Sequence, residues 1–411
     1  MQKLALIGLP SSYTMIYLFI FILLAFFSFL ELINFSKKKL INLQIFVGII
    51  FVFIAGLRYE TGVDWKAYSW SFYELPALDK AYSNNQLDQI FETLDVGYYL
   101  FNSIVKMLGG GIQVVFFCIS LASSILLIKN LRYYSNYVLT GLLVYYTFYF
   151  FVLDLSGIRQ GLALQIFLFS LKYIGQKKFL KFLLIILIAT SIHWSSLLLL
   201  PLYFFIRNDS SKKLTIALFL ISAFVFTFQI KWLGSILGDL IFQLNFASKI
   251  AEKVDAYTSI EIYATVRKWD LYSIFNFLRL SLVAFFCIKH KVILTEKVKY
   301  FNLFYNLILI ELFAFFCLYE FIEISERLRF YFLISEIILI SNIIFSFKSS
   351  LFKQIYFMLF LIIFFLNSYP FLLNSQSTVA YHPYQNYWVH KVLNLRSDGD
   401  ERLEEHKRTH E

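Results

Sequence analysis

His193 is the side chain with the most chemistry to offer. It stands inside Phe182–Ile206, 25 residues without any other acidic or basic side chain. A titratable group within a membrane-length apolar run is costly and suggests function. Ser191, Ser195 and Ser196 surround it and Pro201 follows, so it lies either at mid-bilayer or at a turn that meets water. Read alone, it is either a proton acceptor or a hydrogen-bonded core histidine. No HxxxH, HxxE or nearby cysteine gives it metal-ligand spacing.

Arginines form the second set. Arg58-Tyr-Glu-Thr-Gly62-Val-Asp64-Trp65 follows an apolar run, with Tyr68 four residues beyond Asp64. Gly62 permits a tight turn that brings Arg58 and Asp64 together. Arg58 then either binds an anionic group, placed by Asp64, or belongs to an interfacial belt of Arg, Tyr and Trp. In Asp154-Leu-Ser156-Gly157-Ile-Arg159-Gln160, Ser156-Gly157 reads as a break and cap. Arg159 falls in the first helical turn, where the macrodipole disfavours a cation. A phosphate bound at the free N–H groups accounts for that cost; a plain interfacial arginine is the other reading. Glu320, Glu323, Glu326, Arg327 and Arg329 gather at a third junction. Glu323 and Arg327 are spaced to pair, and at most one of Arg327 and Arg329 faces a central site. Arg279 lies within an apolar span, where Glu311 and Glu336 are candidate structural partners.

The elements that must hold these residues are membrane helices. The 411 residues are 59% hydrophobic, 20% aromatic and 16% charged. That balance excludes a soluble domain and implies an all-α polytopic membrane protein of about 10–12 spans plus re-entrant or half-length helices. Candidate spans are 13–33, 41–57, 112–128, 138–153, 158–174, 182–206, 214–230, 271–288, 300–319, 327–347 and 351–373. The first exceeds a signal-peptide core and lacks a small-x-small cleavage site, so it reads as a span. Cys118, Cys287 and Cys317 all sit in apolar runs, with no disulfide framework.

Loop charge orients the spans. Lys37-Lys38-Lys39 is cytoplasmic by the positive-inside rule, and segment 58–111, with four bases against seven acids, faces out. Alternation then fails at Arg207, Lys212 and Lys213, which look cytoplasmic although one crossing by 182–206 would put them outside. An entering and returning pair, about 182–192 and 196–206, repairs it. Each piece is about 16 Å long as helix, half a bilayer. The cytoplasmic loops then hold 18 bases and two acids, so the net charge of +10 reflects topology and not nucleic-acid binding. Residues 1–373 read as one transmembrane domain with outer segments 58–111 and 231–270. Residues 374–411 read as an outer tail, aromatic and then charged, the charged run Arg396–Glu411 being a solvated helix or disordered.

Taken in order, these pieces resemble the EpsG / Wzy-type polysaccharide polymerase family. They are Arg58…Thr61-Gly62…Asp64…Tyr68, Asp95-Val96-Gly97-Tyr98, Ile158-Arg159-Gln160…Leu162-Ala163, Ile192-His193-Trp194-Ser195, Arg327-Leu328-Arg329-Phe330-Tyr331 and Pro383-Tyr384. The family often has Glu-Pro before Gly-Tyr where this chain has Asp95-Val96, and no role is assigned to Asp95.

The resemblance implies a membrane-embedded glycosyltransferase of the GT-C type. Its substrates would be two polyprenyl-diphosphate-linked glycans, one donating its glycan to the sugar end of the other at the outer face of a bacterial cytoplasmic membrane. Arg58, Arg159 and one of Arg327 or Arg329 would bind the diphosphate, and His193 would act as base. Asp64 would be a second candidate base or the orienter of Arg58. Trp65, Tyr68, Gln160 and Trp194 would contact sugars. No metal or cofactor is implied; membrane lipid and a chain-length regulator protein are expected partners. An O-antigen-type ligase, a lipid-linked oligosaccharide flippase and a membrane O-acyltransferase are the alternatives.

Overall fold

The structure, a computed structural model, describes residues 15–232, 267–373 and 376–409. Among them the elements are helices, with one isolated bridge between Arg58 and Asn386. In chain order they include α1 (Met15–Leu32), α2 (Lys37–Gly56), α3 (Trp65–Glu74), α4 (Val96–Met107), α5 (Ile112–Tyr134), α6 (Val138–Tyr145), α7 (Ile158–Gly175), α8 (Phe179–Ile192), α9 (Lys212–Thr227), α10 (Leu271–Lys289), α11 (Phe301–Cys317), α12 (Ile322–Ile343), α13 (Ser350–Leu372), α14 (Tyr387–Leu393) and α15 (Gly399–Arg408), with shorter helices at Leu78–Ser83, Asp88–Phe91 and Lys291–Lys297. Every candidate span contains a helix within a few residues. Among the described residues six helices are long and apolar enough to cross a membrane, and a bent pair brings this to seven. The protein is an all-α, multi-pass membrane protein.

Contacts divide the chain into two compact units. The first comprises 1–173, 178–200 and 344–411, and the second 174–177 and 201–343. In the first unit α6 continues as a π-helix, Tyr146–Asp154. Phe150 packs on Phe51 with ring centroids 4.8 Å apart, and Phe151 stacks on Phe371 at 4.5 Å. The start of α6 is held by Glu31 of α1, whose carboxylate accepts from the Leu139 and Thr140 N–H groups at 2.9 Å each. That satisfies two N–H groups at the helix start, as a side-chain cap does.

The run at 182–206 is not one helix. α8 stops at Ile192, His193 is extended (φ −148°, ψ 111°), and a 3-10 turn, Trp194–Leu199, packs against the end of α8. A four-residue helix, Leu202–Phe205, follows Pro201. The break falls where the charge argument put it.

The second unit buries its charges in pairs. Arg279 of α10 lies 3.2 Å from Glu311 and 3.3 Å from Glu336, and all three are under 5% exposed. Beside them Arg329 donates to Glu326, Asn276 and Tyr272 at 2.8–3.0 Å, and Glu326 also pairs with Arg267. Pairing makes such charges tolerable in a low-dielectric interior. Apart from 231–232 and 267–270, the expected second outer segment lies outside the described residues.

The C-terminal charged run is a helix with most of its charges exposed, one of the two forms expected of it, and it is also docked. The charged run forms α15, and Arg402 within it is only 5% exposed. Its guanidinium donates to Asp398 at 2.8 Å, to the Glu60 carbonyl at 3.0 Å, and to the Pro383 and Ala380 carbonyls at 3.3 and 3.4 Å. The tail is therefore a folded part of the first unit, clasped onto the loop after α2. Backbone bonds from Tyr59 to Gln385, Gly62 to Ala380 and Tyr387 to Leu57 complete that clasp.

Candidate active site

Three helix ends meet in the first unit. Asp95 precedes α4, and its carbonyl accepts from Tyr98 and Tyr99 N–H. Arg159 is the second residue of α7. His193 is the C-cap of α8. The ends of α4 and α8 approach closely because residue 97 is glycine: a Cβ there would lie 2.5 Å from Ser191 Oγ.

The Asp95 carboxylate is the hub. Its Oδ2 accepts from Arg159 Nη1 at 2.6 Å, and its Oδ1 accepts from the Trp194 N–H at 2.8 Å. His193 Nδ1 lies 3.9 Å from Oδ2. Asp95 and His193 are buried, whereas the Arg159 side chain keeps 28% of its surface exposed. Burial pushes the Asp95 carboxyl up, but His193, Arg159 and the Trp194 N–H together outweigh it and hold Asp95 below its ordinary range. It is therefore a fixed anion at neutral pH. An anion here also sits at the start of α4 and offsets the unfavourable placement of Arg159 at the start of α7. The Arg159 guanidinium lies 5.4 Å from the centroids of both Tyr68 and Tyr98, a cation held between aromatic faces.

The other nominated residues lie as follows. Tyr68 and Gln160 are buried, and Tyr68 belongs to the Arg159 surround. Trp194 contributes its backbone N–H to Asp95. Asp64 precedes α3, within electrostatic reach of Tyr68 and Tyr381. Trp65 is buried beside Gly399 of α15.

Arg58 is fully buried. Its Nη1 donates to the Ala55 carbonyl at 2.6 Å, its guanidinium stacks 4.1 Å from the Phe116 ring, and burial lowers it to about 10. The carboxylate acting on it is Asp154, which the sequence had set apart. The turn at Gly62 forms as expected, with φ +97°. A Cβ there would lie 1.8 Å from the Leu155 carbonyl oxygen. Ser156 Oγ ties the two turns by accepting from Val63 N–H at 2.9 Å and bonding Tyr381 OH at 2.8 Å. Arg329 lies in the buried network of the second unit, and Arg327 is half-buried. The side chain of Glu323 falls outside what the structure describes.

Sequence reasoning missed Asp95 as the hub. Two signals pointed to it. An arginine at a helix start calls for an acid nearby, and Asp-Val-Gly marks a helix start that another backbone can approach.

The chain matches the EpsG family over residues 41–386. No curated protein and no solved structure matches the chain.

Proposed function

The chain belongs to the EpsG family, and from that premise we propose that it is a polysaccharide polymerase using glycans carried on polyprenyl diphosphate. The observation that carries this reading is the Asp95–Arg159–His193 cluster: one fixed anion bonded to the guanidinium of a partly exposed arginine, with an imidazole nitrogen 3.9 Å away.

In the proposed reaction a hydroxyl of the acceptor glycan attacks the anomeric carbon of the donor. The new C–O bond forms as the bond to the diphosphate oxygen breaks, and the electron pair leaves with polyprenyl diphosphate. Arg159 receives that charge. Its Nη1–H engages Asp95 and its guanidinium also bonds the Tyr68 hydroxyl, leaving the remaining N–H groups for phosphate oxygens at any pH. The hydroxyl proton passes to His193. With Nδ1 turned toward the Asp95 carboxylate, Nε2 is the nitrogen that accepts. The imidazolium so formed is stabilised by Asp95 and by the C-terminal end of α8, where cations are favoured. Tyr68 and Trp194 are assigned to the sugars. Arg58 is assigned to holding the loop and Arg329 to the fold, so Arg159 is the diphosphate ligand among the nominated arginines. No metal is needed in this scheme. We assign the reaction to the outer face of a bacterial cytoplasmic membrane on the charge bias of the loops.

The test is reconstitution of the purified protein in vesicles with a polyprenyl-diphosphate-linked repeat unit as sole substrate. The reading expects lipid-linked oligomers of two or more repeats and one equivalent of polyprenyl diphosphate per bond. A ligase leaves the substrate unextended until a different acceptor is added. A flippase moves it across the bilayer unchanged. Either result overturns the polymerase.

A further inference from the structure

The tail carries a second feature beyond the clasp of Arg402. Helix α14 begins where α2 ends. The Tyr387 N–H donates to the Leu57 carbonyl at 2.7 Å, the Tyr384 hydroxyl to the Ile54 carbonyl at 3.1 Å, and Asn386 bridges to Arg58. α2 is itself a candidate span of 20 residues, about 30 Å long. A helix tied to its last turn therefore lies at the depth where a span leaves the hydrocarbon.

The face of α14 turned to the protein is short. His390 is buried, 4.7 Å from the centroid of Tyr59. The opposite face is apolar and open: Trp388, Val389, Val392 and Leu393 are 50–77% exposed, and Leu395 after the helix is 47% exposed. Exposed Lys391 and Arg396 flank it. A compact soluble surface would not leave these five side chains in water. The lipid-facing surface of α2, with Ile49 and Phe53 exposed, ends at the same level.

We propose that α14 lies in the membrane interface, with Trp388, Val389, Val392, Leu393 and Leu395 among the upper acyl chains and headgroups. Its occupant is phospholipid. The open face of α14 continues the exposed side of α2, bears a Trp and is flanked by cations, which suits anionic headgroups. The family match ends at residue 386, so this anchor belongs to the part of the chain beyond it. Through His390 on Tyr59, lipid contact at α14 holds the loop that leads to Trp65 and Tyr68.

The test places a nitroxide at Val392→Cys in the full chain, in nanodiscs of zwitterionic and anionic phospholipid. References are Phe46→Cys on the open side of α2 and Glu404→Cys on the open side of α15. The parent, labelled in parallel, subtracts Cys118, Cys287 and Cys317. The proposal expects collisions at 392 to be dominated by oxygen, as at 46, and by a soluble nickel chelate at 404. Nickel-dominated collisions at 392 would place α14 in water. Low access to both reagents would mean a protein partner or a second copy covers it. Either result overturns the proposal. All three substitutions are at open positions, and an unchanged thermal transition checks that the fold is retained.

Discussion

Arg159 in the first unit and Arg329 in the second both hold a carboxylate at 2.6–2.9 Å beside aromatic rings, yet their surroundings differ. Arg329 is buried and bonded to Glu326, Asn276 and Tyr272, in a network where three arginines meet three glutamates. Arg159 shares one carboxylate with a histidine and keeps part of its guanidinium open. Charge among membrane helices is therefore not a site in itself. A site needs a fixed counter-charge that orients its groups while leaving one of them able to bind something else. Among the described residues the second unit pairs its buried charges with one another, and the first leaves an arginine partly exposed.

The comparison can be broken by substitution. His193→Ala is expected to lower elongation by roughly 10²–10⁴-fold, the range for losing a general base, and Arg159→Ala by roughly 10²–10³-fold, the range for losing a charge-stabilising donor. Both proteins should insert and fold, Arg159→Ala with a lowered unfolding temperature because buried Asp95 loses its cation, as measured by thermal scans in detergent alongside glycan length on gels. Arg279→Ala should lose stability alone. Leaving Glu311 and Glu336 without their cation costs about 3–5 kcal/mol of stability, read as a lowered unfolding transition, with activity per folded molecule near parental.

Asp95→Asn sharpens the point. It keeps the shape but removes the anion, so elongation should fall by roughly 10–100-fold, matching a charged hydrogen bond of about 1.5–3 kcal/mol. The sign of its pH dependence is fixed. Asp95 has a folded value below its ordinary 3.8, so its contribution to stability is fully present above that value and is lost as pH falls through the lower folded one. The parent should therefore lose stability on acidification below about pH 4 more steeply than Asp95→Asn. Equal slopes would remove Asp95 from the hub. The smallest effect belongs to the clasp: Arg402→Ala should loosen residues 376–409, seen as faster amide exchange there, with elongation changed only a few-fold.

Much of the fold was legible because membrane helices declare themselves by run length and loop charge. The break at His193 was visible as a failure of charge alternation. The pairing of Arg279 with Glu311 and Glu336 was visible because a buried cation needs an anion. What was not legible depends on partners far apart in the chain. Arg58 reads locally as the mate of Asp64, but α2 and α5 bury it between the Ala55 carbonyl and Phe116. The charged tail reads as solvated, but Arg402 finds the Glu60 carbonyl 342 residues away. Asp95 was a helix-start acid without an evident partner until α7 and α8 delivered Arg159 and His193 to it.

The most direct measurement is elongation per folded molecule for Arg159→Ala and Arg329→Ala, reconstituted side by side with lipid-linked repeat units. Per folded molecule, Arg159→Ala should leave one repeat per lipid, while Arg329→Ala should extend the glycan at near-parental rate although it also loses stability. Long polymer from folded Arg159→Ala would contradict the account.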